Sequence, residues 1–325
     1  MSAIVITGTG APEVLEYVDG PALEAGPGRL LVKVAAAGVN FIDTYHRSGA
    51  YKRPLPFTPG QEFAGTVEAV GEGVAGFAVG DRVASVDSLT GSYADYTLVD
   101  AERAVTVPDG VPLETAAAAM LQGLTAHYLT ASTWPVHKGD TALVHAAAGG
   151  MGLLLTQLVK ARGGRVIGTV STPEKEALSR SVGADEVIRY TEVEDLAAVV
   201  RELTENGRGV DVVYDGVGKT TFDASLASLR PRGLLALYGA ASGPVPPLDP
   251  QRLNAGGSLF LTRPKLGDHI DTPEEFSWRS GELFAAIGAG TLTITIGARY
   301  PLAEAAAAHA ALESRATTGK VLLIP

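Results

Sequence analysis

From Thr141 onward the chain keeps one rhythm: a short apolar run, a turn, an amphipathic stretch, then another short apolar run. "TALVHA" leads into "GMGLLLTQLVKARG", "RVIGTV" into "PEKEALSRSVG", "EVIRY" into "DLAAVVRELTENG", and "VDVVYDGVG" into "TTFDASLASLR"; "GLLALYG" and "SLFLTR" close the series. The apolar runs hardly alternate with polar residues, as strands covered on both faces require. Such strands, joined by helices, build a parallel sheet with helices on either side, so the pattern predicts a doubly wound α/β layer.

The first third has another pattern. "RLLVKVAAAGV" (29–39), "EFAGTVEAVG" (62–71), "DRVASV" (81–86) and "YADYTLVD" (93–100) read as strands bounded by glycine. Pro54, Pro56 and Pro59 punctuate a loop, and "PLETAAAAMLQGLTAHYLT" (112–130) switches to helical spacing. After residue 264 the α/β rhythm stops. The expected division is therefore 1–123 with 265–325 as one domain and 124–264 as the other.

Composition narrows the chemistry. The chain has no cysteine, which excludes disulfides, thiolate catalysis and cysteine-ligated zinc. A net charge of −10 weighs against a nucleic-acid partner. No apolar run reaches the roughly 20 residues of a membrane span. The start, "MSAIVITGTG", lacks the basic and apolar parts of a secretion signal. A cytoplasmic protein without membrane or nucleic-acid partners is expected.

The segment "HAAAGGMG" lies where the first strand of the series meets its helix. Strand, glycine turn, helix and strand within about thirty residues form a dinucleotide-binding unit. Only glycine or alanine lets a pyrophosphate approach the amides of Gly149, Gly150 and Met151 and the positive end of the helix. The spacing is Ala146-x-x-Gly149-x-x-Gly152, not G-x-G-x-x-G. The next strand, "RVIGTV", carries no acid at its tip for a ribose 2′-hydroxyl; Ser171, Thr172 and Lys175 follow instead, a set suited to a 2′-phosphate. NADPH is the expected cofactor. The same residues also read as a helix cap, with Ser171 or Thr172 capping and Glu174 completing a box with Ser171.

Several segments in order resemble the zinc-independent medium-chain dehydrogenases/reductases, above all the NADPH:quinone oxidoreductases of zeta-crystallin type: "GVNFIDTYHRSGAY" (38–51), "GQEFAGTVEAVGEGV" (60–74), "GDRVA" (80–84), "HAAAGGMG", "YDGVG", "LYGAASG" and "ESRATTGKVLLIP" (313–325). The resemblance covers essentially the whole chain. It implies a Rossmann doubly wound parallel sheet inserted into a mostly β, GroES-like catalytic domain, with the active site in the cleft.

It also implies site residues. Asn40 with Phe41, Ile42, Asp43, Thr44 and Tyr45 matches the loop beside the nicotinamide and its ribose. Tyr128 matches a position near the phosphates, and Gly150 and Met151 the pyrophosphate turn. Ser171 to Lys175 match the 2′-phosphate pocket, and Tyr190 resembles a residue at that same pocket or at the adenosine. Gly216, the run Tyr238, Gly239, Ala240 to Ser242, and Phe260, Leu261 and Thr262 match contacts along adenosine and nicotinamide. At the place of Gly216 relatives often carry serine. Arg315 matches an arginine reaching the cofactor, with Lys320 a weaker candidate nearby. Phe41 and Ile42 fit a plain core role equally well, and His145 fits packing beside the turn better than base catalysis.

The metal-using relatives carry "G-H-E"; here the residues are Gly60, Gln61 and Glu62. With a ligand histidine replaced and no cysteine, Glu62 is expected to be structural, paired with an arginine such as Arg53 or Arg82. A reductase without a Lewis acid needs an acceptor that takes electrons readily, as a quinone does, held in a water-excluding site. Asn40, Tyr45 and Tyr51 are the candidates to hydrogen-bond the developing oxyanion or to relay a proton. The alternatives are a reductase of activated alkenes such as enones, and an NADPH-binding protein of low turnover. The apolar run "SLFLTRPK" would be an open edge of the parallel sheet, from which a homodimer is expected.

Overall fold

The computed structural model of the chain describes residues 1–20 and 22–325. These fall into two compact units: Met1–Leu124 with Ile270–Pro325, and Thr125–His269.

The second unit holds six parallel strands. In space they run Glu186–Arg189, Arg165–Val170, Thr141–Val144, Val210–Asp215, Leu229–Leu237 and Phe260–Thr262. Numbered along the chain, this order is 3-2-1-4-5-6, so the winding reverses between Thr141–Val144 and Val210–Asp215. Ligands of such sheets bind beyond the strand ends at that reversal. Both faces are covered, and every residue of Val210–Asp215 is buried. Leu143, Ile167, Val213, Leu235 and Phe222 meet in the core, so the near-continuous apolar runs have their physical reason.

The first unit is built on a seven-stranded sheet that is mostly antiparallel. Its centre is Arg29–Val39, whose first half pairs with Tyr96–Asp100 and whose end pairs with Lys320–Ile324, while Phe63–Val70 runs along its other side. Serving three partners buries most of the strand on both faces, which is why "RLLVKVAAAGV" alternates so little. The C-terminal strand Lys320–Ile324 also pairs in parallel with Ile296–Pro301. Ile4, Ile6, Leu30, Val32, Phe63, Tyr93 and Leu323 share the core.

Candidate functional site

In the parallel unit, the strand Thr141–Val144 ends in a turn where Ala146 takes a left-handed φ of 50° and Gly149 donates to the Ala146 carbonyl at 2.8 Å. The helix Gly150–Ala161 starts there. The amides of its first turn have no carbonyl one turn back and lie at the positive end of the helix. Its close seat on the turn depends on Gly152: a Cβ there would lie 2.4 Å from the Ala146 oxygen and 2.5 Å from Ala147 Cα. A run of amides beside near-absent side chains fits a diphosphate.

Behind the turn lies a polar brace that the sequence did not reveal. Buried His145 places Nδ1 3.0 Å from Thr169 Oγ1 and Nε2 2.9 Å from Ser225 Oγ. Ser225 donates to buried Asp215 at 2.7 Å, and Asp215 also accepts the amides of Val217 and Gly218 at 2.8 and 2.9 Å. Burial lowers the His145 pKa against the pull of Asp215. A neutral imidazole thus ties together the ends of three strands, which suits a prop rather than a base.

At the tip of Arg165–Val170, Thr172 caps the next helix, Pro173–Ser181, by accepting the Lys175 amide at 3.3 Å. Thr172 takes the cap rather than Ser171, and the exposed Glu174 carboxylate turns to its own amide and the Thr172 hydroxyl, which lower its pKa. Ser171, Thr172 and Lys175 are half-buried. Tyr190, 40% exposed, opens a short 3-10 turn just beyond the neighbouring strand Glu186–Arg189, and Thr191 beside it donates to the Ser171 carbonyl at 3.3 Å. The fold thus brings these expected cup residues to one edge.

The next two loops are joined side by side. Ala241 donates to the Gly216 carbonyl at 3.1 Å, and the Ser242 amide and hydroxyl both reach the Val217 carbonyl at 2.8 Å. A Cβ on Gly216 would lie 2.7–2.8 Å from the Tyr238 ring and hydroxyl. Serine at 216 would displace Tyr238, so the glycine is the partner of that tyrosine. Gly239 and Ala240 continue the loop. Phe260, Leu261 and Thr262 form the outermost strand, with Phe260 58% exposed. Tyr128 is 1% exposed, its ring stacked on His269 at 4.0 Å.

In the other unit, Asn40 precedes the helix Phe41–Ser48, which splits the expected residues by face. Phe41, Ile42 and Tyr45 are half-buried and share one side, while Asp43, Thr44 and Arg47 are buried on the other. Tyr45 stacks obliquely on Tyr51, with centroids 5.2 Å apart, and Tyr51 is 44% exposed. His46 adjoins them, its pKa lowered to about 4 by burial and the nearby Arg53. Asp43 and Thr44 are interior residues: each is under 5% exposed, and the Thr44 hydroxyl donates to the Phe41 carbonyl. Arg315 is exposed just beyond the helix Ala305–Glu313, with a left-handed φ of 61°.

Asn40 is held from within the protein. Its amide nitrogen donates to Glu62 Oε2 at 2.8 Å and to the Gly38 carbonyl at 3.3 Å, and its oxygen accepts from Lys320 Nζ at 2.7 Å. These contacts engage both polar atoms of its side chain inside the protein. Glu62 pairs with Lys320, not with an arginine, and neither side chain is more than 1% exposed. Arg82 instead donates to the Pro108, Asp109 and Val111 carbonyls, and Arg53 lies over the Phe57 ring. The pair fits because residue 38 is glycine: a Cβ there would meet both side chains.

The network extends further. The Asp43 carboxylate accepts the Asn40 amide at 2.9 Å and the Tyr93 hydroxyl at 3.1 Å; that hydroxyl also lies 3.0 Å from His309 Nε2, and Arg47 joins His309 to Glu313. Burial pushes His309 down to about 3 and Asp43 up to about 7. The only hints in the sequence were a lysine opening "KVLLIP" and a histidine among alanines. Folded Asp43 keeps its proton to about pH 7, whereas an unfolded carboxyl releases it near 3.8. The native state then binds more protons in that window, so the contribution of Asp43 to stability is lost as pH rises through it. Asp43→Asn is expected to flatten the fall in stability between those values, measured by urea unfolding across the window; an unchanged slope rejects the assignment.

Residues 26–109 match the alcohol dehydrogenase GroES-like domain family and residues 150–267 the zinc-binding dehydrogenase family. A quinone oxidoreductase of Pseudomonas aeruginosa is 49% identical over 317 residues, 97% of either chain. The chain belongs to the quinone oxidoreductase family. Two solved structures superpose over the full length of both chains with TM-scores of 0.97: a mycobacterial protein in complex with NADPH, 57% identical, and the Escherichia coli quinone oxidoreductase in complex with NADPH, 42% identical. The α/β reading is thereby supported, with a Rossmann sheet and a GroES-like domain as in other quinone oxidoreductases.

One matched description includes zinc, and the donors here do not fit that ion. The chain has no cysteine, Gln61 offers only a neutral amide, and Glu62 is neutralised by Lys320. Among the described residues no three His, Cys, Asp or Glu side chains cluster to hold a metal.

Proposed function

We propose that this quinone oxidoreductase-family chain reduces quinones with NADPH and without a metal. The observation that carries the reading is the glycine turn with its neighbouring cup: amides held open by Gly152, and two hydroxyls with Lys175 at the next strand tip. When bound, NADPH supplies the hydride. The turn amides hold the diphosphate, and Ser171, Thr172 and Lys175 select the extra phosphate. Phe41, Ile42 and Tyr45 offer a flat, largely apolar face suited to a ring substrate, and the Tyr45 and Tyr51 hydroxyls are the donors for oxygens that gain charge. Catalysis is positioning, so Tyr45→Phe and Tyr51→Phe each keep most turnover.

The test is NADPH oxidation against a panel of quinones and enones, repeated with NADH. Quinone turnover with NADPH preferred is expected. Faster enone turnover would favour the alkene-reductase reading, and tight NADPH binding without oxidation the binding-protein reading.

A cytoplasmic location and a homodimer belong to the same proposal. The dimer rests on the edge strand Phe260–Thr262, whose exposed Phe260 and open ladder favour pairing with a second copy. Light scattering is expected to give twice the 33.5 kDa chain mass; a monomer at working concentration rejects the dimer. Cell fractionation tests the location.

A further inference from the structure

The unit Met1–Leu124 with Ile270–Pro325 contains a cavity of about 490 Å³ that shares no lining residue with the aromatic face of Phe41, Tyr45 and Tyr51. Its volume lies within the range of small-molecule sites, roughly 300–1,000 Å³. One wall is the strand Ser2–Val5; the other is the loop from Arg53 to Thr58 with Leu89–Gly91. Paired backbone hydrogen bonds between Ile6 and Phe57, at 2.9 and 3.1 Å, and a bridge between Ala3 and Ala94 hold the walls together. The cavity is therefore preformed, and its lining is mainly apolar: Val5, Leu23, Pro54, Pro56, Phe57 and Leu89.

Among the described lining residues its one cationic side chain is Arg53. The guanidinium lies over the Phe57 ring at 5.4 Å and is close enough to His46 to depress that imidazole's pKa. Among the described residues it pairs with no carboxylate, although the chain carries 36 acidic against 26 basic side chains. Nearly every other arginine is engaged with an acid or a carbonyl; this one presents its fork beside an apolar cavity. A guanidinium so placed recognises a carboxylate or sulfonate by two parallel hydrogen bonds.

We propose that this cavity binds a free apolar small molecule bearing one carboxylate or sulfonate, its body between the two walls and its anion on Arg53. The site shares no residue with the nucleotide turn or its cup, and its test does not depend on turnover. Anilinonaphthalene sulfonate is titrated by fluorescence into the full-length protein kept saturated with NADPH, so that the nucleotide site does not compete. One saturable site is expected. Arg53→Ala and Leu89→Glu each weaken it about tenfold, the scale of one lost charge-assisted contact or one added repulsion. Both positions are exposed at the rim, so both variants keep the parent melting temperature. Uncharged phenylnaphthylamine binds parent and Arg53→Ala equally. Non-saturable fluorescence, or equal sulfonate affinity in parent and both variants, overturns the proposal.

Discussion

Gly152→Val is expected to abolish measurable NADPH binding while leaving a folded protein. A Cβ at this position meets only backbone, the Ala146 oxygen at 2.4 Å and Ala147 Cα at 2.5 Å, so no flexible side chain can move aside. The helix Gly150–Ala161 must then retreat from the turn, carrying the first-turn amides away from the diphosphate. Overpacking of this kind costs about 1–3 kcal/mol of stability, which a chain with this much core tolerates. The affinity loss is larger, at least about 100-fold or roughly 2.7 kcal/mol, because several charge-assisted contacts misalign together. Gly149→Ala is the control: its φ of −78° suits alanine, and the new Cβ meets only the Ala146 oxygen at 3.2 Å. Calorimetry with NADPH should rank parent, Gly149→Ala and Gly152→Val in falling affinity. If Gly152→Val binds within threefold of the parent, the turn is not the diphosphate cradle.

Lys320→Met should be the most damaging single change to stability. It strands the Glu62 carboxylate, fully buried, with the Leu121 amide at 2.6 Å and the Asn40 side chain as its remaining donors. Removing one partner of a buried ion pair costs about 3–5 kcal/mol, most of it the unpaired charge that remains. Adding Glu62→Gln removes that charge and keeps an acceptor, so the double variant should recover most of the loss. Urea unfolding of the two variants and the parent measures both steps. A Lys320→Met protein within about 1 kcal/mol of the parent would mean the pair is neutralised by other means. Because the same ammonium lowers the pKa of Asp43, its loss also shifts the pH dependence of stability upward.

These two sites differ in how far the chain itself announces them. The glycine turn is local: strand, small residues and helix follow one another within a few positions, and backbone sterics alone require the missing side chains. The same is true of the parallel sheet, whose apolar runs report burial on both faces whatever their neighbours. The helix start after Ser171 and Thr172 was legible because a helix cap and a phosphate site demand the same residues.

The interior contacts of Asn40, Asp43 and Tyr128 were hidden from the sequence for one reason. A polar or aromatic residue beside a functional loop looks the same in sequence whether it faces a ligand or the interior. The helix Phe41–Ser48 sorted its own face only when Asn40 was pinned from below by Lys320, 280 positions away. The Glu62–Lys320 pair spans 258 positions, and nothing in periodicity or spacing names a partner at that range. Sequence alone determined the layers, the turn and the choice of nucleotide chemistry, because those follow from local geometry and from which faces must avoid water. Which charges are buried, and with whom, was decided only by the tertiary structure: desolvation is tolerated only where a partner arrives through space, and the order of residues along the chain does not contain that meeting.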